Sequence, residues 1–134
     1  MTIYVDSSAL LKIYLDEPDT DTAEAVLTGE RWVTGRHTLV EVRRNLQRAL
    51  GGSELDSARA RFERDWREID AVDLGVAASE LAAEMAERTG VRSLDALHLG
   101  AAGLAGAGDG LPIATFDHRL AGAARSLGWT VLPE

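Results

Sequence analysis

Thr2-Ile3-Tyr4-Val5-Asp6-Ser7-Ser8-Ala9-Leu10-Leu11-Lys12-Ile13-Tyr14-Leu15 is the stretch whose reading decides the fold. Ile3, Tyr4 and Val5 form a short apolar run of strand-forming types. Asp6 interrupts it. Ala9, Leu10, Ile13 and Tyr14 then recur at helical spacing, which gives a strand, an acidic residue and a helix in succession. In an open parallel sheet, ligands bind just beyond the carboxyl ends of the strands, and Asp6 stands at such an end. Taken alone, Asp6 or Ser7 is a helix cap. A chemical role for Asp6 requires other carboxylates at the same edge, and Ser7 is then left as the cap.

The same alternation continues along the chain. A second short helix, capped by Thr20 and stopped at Gly29, precedes a strand at Arg31–Thr34. A helix from Arg36 or Thr38 to Leu50 carries Leu39, Val42 and Leu46 on one stripe, with Glu41, Arg44 and Arg48 on another. Ser53 is placed to cap a helix that turns Leu55, Ala58, Phe62 and Trp66 inward. Ile69 to Leu74 reads as a strand, and Gly75 to Arg88 as an Ala-rich amphipathic helix closed by Gly90. Ser93 then starts a helix that is apolar on nearly every side, which predicts burial. Gly103 to Gly110 reads as a loop, Leu111 to Thr115 as a strand, Leu120 to Leu127 as a helix, and Trp129 to Leu132 as the last strand. The expected fold class is therefore α/β, with a mainly parallel sheet covered by helices on both faces. No linker or repeat divides the 134 residues, so one domain over 1–134 is expected.

Composition narrows the function. At 46% hydrophobic the chain can bury a real core, and no window is long and apolar enough to cross a bilayer. The N-terminal run has strand length and no basic lead, which is unlike a signal peptide. The absence of cysteine removes thiol nucleophiles and Cys-type zinc sites, and fits a cytoplasmic location. The net charge of −8 argues against coating nucleic acid by bulk attraction. It does not exclude a nuclease whose metal ions neutralise both its own acids and a phosphate.

Four carboxylates are unusually placed. Asp6 and Asp117 each follow a strand, so both belong to one sheet edge. Asp95 lies in the first turn of the apolar helix, where it complements the helix dipole or pairs with Arg92. Glu41 fits a capping box with Thr38. Together they point to a pocket of three or four carboxylates, whose like charges raise one another's pKa unless a cation is present. Oxygen donors with few histidines select Mg²⁺ or Mn²⁺ over zinc, and such ions activate water against phosphodiesters.

Ile3-Tyr4-Val5-Asp6-Ser7-Ser8-Ala9, the Glu41-Val42-Arg43-Arg44 helix, Leu94-Asp95-Ala96-Leu97-His98-Leu99 and Thr115-Phe116-Asp117-His118-Arg119-Leu120 together resemble the PIN domain, specifically the VapC-type toxins of toxin–antitoxin pairs. The resemblance runs from Ile3 to the last strand. It implies a three-layer α/β/α fold and a Mg²⁺-dependent endoribonuclease in which Mn²⁺ can substitute. The implied metal site is Asp6, Glu41, Asp95 and Asp117, with Asp6 and Asp95 most directly tied to metal and Thr115 orienting the site. It also implies an RNA substrate (structured RNA in many relatives, transfer RNA included), a homodimer, and a VapB-type antitoxin that places a basic side chain in the acidic pocket.

The other polar residues have blander readings. His98 is expected to be a hydrogen-bonded core histidine, and His37 and His118 are expected to be exposed. Arg43, Arg44 and Arg48 are either phosphate contacts or a solvated face. Trp32, Trp66 and Trp129 read as core or interface. Three other functions compete. Transfer through an aspartyl phosphate lacks the second acid two residues after Asp6. A metal-free nuclease needs two convergent histidines. A non-catalytic module would use the acidic groove to bind a basic peptide.

Overall fold

The structure is a computed structural model that describes residues 1–134. Five strands form one sheet in the order β3-β2-β1-β4-β5, with every pairing parallel. They are β1 (Thr2–Val5), β2 (Arg31–Gly35), β3 (Asp70–Val72), β4 (Ile113–Ala114) and β5 (Val131–Leu132). The helices are α1 (Ser7–Tyr14), α2 (Thr20–Leu27), α3 (Thr38–Ala49), α4 (Gly52–Glu68), α5 (Val76–Thr89), α6 (Ser93–Ala105) and α7 (His118–Ser126). The sheet grows from β1 in one direction through β2 and β3, and in the other through β4 and β5. The strand order therefore reverses between β1 and β4, and the crevice above their carboxyl ends is where an open parallel sheet binds ligands.

β1 shows how the layers are built. Its side chains alternate between the two faces. Ile3 and Val5 join Leu10, Val42, Leu46 and Phe62 in one buried cluster, under α1, α3 and α4. Tyr4 points the other way, into a cluster with Leu99, Ala101, Ile113 and Leu120, under α6 and α7. The result is the three-layer α/β/α arrangement expected from the sequence.

Local details correct several expectations. Ser7 does not cap α1: Asp6 is the N-cap, and its side chain accepts the Ala9 amide. Thr20, Ser53 and Ser93 lie inside their helices, and none of those helices has a side-chain cap hydrogen bond. Thr20 instead bridges the Glu17 amide and the Leu15 carbonyl. The segment expected as a loop from Gly103 is helical to Ala105, followed by a 3-10 turn at Ala107–Asp109. Nor is α6 buried on all sides, because Leu94 and Leu104 are 54% and 48% exposed. An apolar residue on the surface costs little, so composition alone overstated that burial.

α6 carries Asp95 and His98, and α5 sets its position. A Cβ added to Gly100 would lie 2.6 Å from the Ala78 carbonyl oxygen and 2.8 Å from Ala82 Cβ. Only glycine permits this approach. Gly100→Ala is expected to lower unfolding free energy by about 1–3 kcal/mol through overpacking, measured by urea denaturation. An unchanged midpoint would show that the two helices separate freely.

Candidate active site at the sheet switch point

Asp6 is 3% exposed at the end of β1. Such a carboxylate needs donors, and three neighbours supply them. Oδ1 accepts from the Ala9 amide at 2.9 Å and from Ser8 Oγ at 2.7 Å. Oδ2 accepts from Thr115 Oγ1 at 2.5 Å. Thr115 Oγ1 in turn accepts the Asp117 amide at 3.0 Å, and Ser8 Oγ accepts the Phe116 amide at 2.9 Å. Two hydroxyls therefore lock the start of α1 to the end of β4. Even so, burial pushes the Asp6 carboxyl above its ordinary range, against the opposing influence of His98, Thr115, Ala9 and Ser8.

Asp117 is the N-cap of α7, where Oδ1 accepts the Arg119 and Leu120 amides at 2.8 and 3.1 Å. Capping fixes its carboxylate at the start of α7, while its backbone amide binds Thr115. Asp95, in the first turn of α6, is raised by partial burial and then by the charges of Asp117, Asp6 and Glu41. Only His98 favours its charged form. The expected pairing with Arg92 is absent, and Arg92 is exposed. Asp95 is thus close enough to feel all three of the other acids singled out by sequence.

Glu41 sits differently from expectation. No capping box forms, because Thr38 Oγ1 bonds Thr34 Oγ1 at 2.7 Å and α3 has no side-chain cap. Glu41 Oε1 instead faces His98 Nε2 at 2.8 Å. Burial pushes its carboxyl up, but the His98 hydrogen bond and the fields of His98 and His37 prevail, with help from Ser7, and hold it below the usual range. His98 is the buried, hydrogen-bonded histidine that was expected. Its Nδ1 lies 2.7 Å from Tyr4 Oη, which also accepts the Gly35 amide at 3.0 Å. Tyr4 Oη can donate to Nδ1 while accepting the Gly35 amide, and Nε2 then carries the ring hydrogen toward Glu41.

His37 is not exposed, contrary to expectation. Its side chain is 10% exposed, its Nε2 lies 3.7 Å from Glu41 Oε1, and its ring packs against His98 at 4.1 Å between centroids, tilted by 46°. Burial and the neighbouring His98 push it down to about 4. The reading from sequence also passed over Ser8 and Tyr4. Ser8 was findable as a small hydroxyl one turn's start beyond a strand-end acid, whereas the Tyr4 link spans 94 residues and leaves no local signal.

The PIN domain family model matches residues 3–126. The chain belongs to the PIN-domain family, in its VapC branch. It is 33% identical to Ribonuclease VapC49 of Mycobacterium tuberculosis, over 98% of this chain and 94% of that protein. Two crystal structures share the fold. VapC20 of M. tuberculosis, a sarcin–ricin loop cleaving toxin, has a TM-score of 0.71 at 20% identity, covering 90% of this chain and 94% of that one. VapBC2 of Rickettsia felis, bound to a promoter DNA fragment, has a TM-score of 0.67 at 11% identity, covering 98% and 97%.

Crowded carboxyls make the metal-free PIN domain sensitive to pH. A carboxyl raised by folding holds its proton more tightly in the folded state, so its contribution is present at low pH and lost as pH rises past about 4. Asp95→Asn removes one charge and keeps the shape. In chelator at pH 7 the variant is expected to melt above the wild type, and the gap should close near pH 3 and shrink on adding Mg²⁺. A variant that melts below the wild type at pH 7 would contradict the crowding.

Proposed function

We propose that this VapC-type PIN protein is a divalent-metal-dependent endoribonuclease, the toxin of a toxin–antitoxin pair, with Asp6, Glu41, Asp95 and Asp117 as its metal-holding acids. The observation that carries this reading is the junction at the β1/β4 switch point, where Thr115 Oγ1 binds the Asp6 carboxylate and the Asp117 amide, with Asp95 raised by burial and then by the charges of Asp117, Asp6 and Glu41. Such crowding is relieved by a cation, and an all-oxygen donor set suits Mg²⁺, with Mn²⁺ as substitute. When bound, the ion supplies Lewis acidity and lowers the pKa of its water. The names of the relatives support RNA as substrate.

The chain's own part is to hold these oxygens in place. Ser8 and Thr115 fix the rotation of Asp6, and Thr115 couples it to the backbone at Asp117. Helix amides fix Asp117, and His98 fixes Glu41. Hydrolysis adds the oxygen of water to phosphorus and breaks the bond to the 3′ oxygen, which leaves 5′-phosphate ends. The Thr115 hydroxyl acts as a positioning group through Asp6. Residues 1–134 act as one domain, and a VapB-type antitoxin with a basic side chain would neutralise the acid pocket. A homodimer, a transfer-RNA target and a cytoplasmic location complete the reading. The structure has no helix long and apolar enough to cross a membrane.

Asp6→Ala and Asp95→Ala, checked for retained fold by circular dichroism, are expected to lower RNA cleavage at least about 100-fold, since groups merely supporting a metal ligand already cost up to that. Cleavage should also stop in excess chelator and return with Mg²⁺ or Mn²⁺. Full activity in chelator would sink the proposal. If partner-free protein cuts no RNA with either metal, the acidic edge is instead a groove for a basic peptide.

A further inference from the structure

We propose that His37, Glu41 and His98 form a second cation site, one that takes a borderline transition-metal ion of the Zn²⁺ class. The ligand atoms of the three residues all lie within 4.8 Å of one another. Glu41 Oε1 is 2.8 Å from His98 Nε2 and 3.7 Å from His37 Nε2. Metal–ligand bonds of roughly 2.0–2.1 Å at tetrahedral angles place donor atoms about 3.3 Å apart, between these two separations. The two imidazole nitrogens lie within 4.8 Å of each other, and closing them to that spacing admits an ion.

A second observation points the same way. The His37 side chain is nine-tenths buried, yet neither ring nitrogen makes a hydrogen bond of good geometry. The Leu94 backbone lies beside the ring and favours protonation, but does not complete a well-aligned bond. Buried polar nitrogens without partners are costly, and Nε2 faces Glu41. The ring cannot easily swing away, because it packs over Gly35, where an added Cβ would lie 2.6 Å from Nδ1.

The support behind His98 can serve either state. Without metal, Tyr4 donates to Nδ1 and Nε2 donates to Glu41. With metal on Nε2, the hydrogen moves to Nδ1 and Tyr4 Oη accepts it while still accepting the Gly35 amide. A histidine that binds metal through one nitrogen and donates from the other to a fixed oxygen is the usual arrangement.

Donor chemistry separates this site from the acid pocket. Two imidazoles and a carboxylate favour Zn²⁺, Ni²⁺ or Co²⁺, whereas an all-oxygen set favours Mg²⁺. Glu41 belongs to both. An ion held by the histidines withdraws it from the acid pocket and inhibits Mg²⁺-dependent cleavage. This consequence rests on the nuclease reading, whereas metal binding itself does not.

Isothermal titration of the full chain with Zn²⁺ in millimolar Mg²⁺, and Co²⁺ titration followed by visible absorption, test the site. The wild type is expected to bind one ion with a nitrogen-ligand Co²⁺ spectrum. His37→Gln should weaken Zn²⁺ binding by about 10-fold or more, and Asp117→Asn should leave it within a few-fold. Retained affinity in His37→Gln, or its loss in Asp117→Asn, would overturn the proposal. Failure of the nuclease reading would show as absent RNA cleavage with this binding pattern intact.

Discussion

A buried carboxylate at the end of the central strand governs this molecule. Asp6 is withdrawn from water and held by an amide of α1 and by the hydroxyls of Ser8 and Thr115. Burying a charge is tolerable only when its lone pairs are filled, and filling them dictates the local architecture. Thr115 must end β4 beside β1, and Ser8 must reach the backbone of Phe116. The β1/β4 junction is thereby fixed, and with it the point where strand order reverses. The other acids arrive on neighbouring elements, Asp117 by capping α7 and Asp95 and Glu41 by the first turns of α6 and α3. Helix termini recur here because they bring amides that tolerate carboxylates.

Two features of the site pull in opposite directions. Asp6 and Asp95 are raised by burial and, at Asp95, by like charge, so metal-free protein stores unfavourable electrostatics at this edge. Glu41 is held low, because the His98 hydrogen bond supplies what its surroundings lack. A cation relieves the first pair directly. Glu41 already has a partner, which makes it the acid most readily drawn elsewhere. Active-site strain of this kind is common in enzymes and is offset by packing in the rest of the fold.

Much of this was legible in the chain, for identifiable reasons. Strand-length apolar runs followed by helical periodicity carry the α/β class, since burial on both sheet faces forces that pattern. Asp6 and Asp117 were visible because an acid at a strand end interrupts an apolar run. The PIN resemblance rested on these same residues, and the family match bears it out. What sequence did not show was side-chain partnership. Ser7 and Thr38 have the chemistry of caps, but Ser7 is already the first residue of α1 with Asp6 at the cap position, and Thr38 is taken by Thr34. Burial of His37 depends on α6 packing against β2, which brings His98 beside it, and the Tyr4–His98–Glu41 chain joins three elements far apart in sequence. Such contacts follow from packing, which local spacing does not encode.

The central claim is that four carboxylates converge to hold a divalent ion at the β1/β4 switch point. The most direct test is anomalous diffraction from crystals of the protein grown with Mn²⁺. Density within about 2.0–2.4 Å of carboxylate oxygens of Asp6 and Asp95, with Asp117 facing the same ion, is the predicted result. Ordered Mn²⁺ elsewhere with none at this edge, or acids turned away from one another, would contradict it.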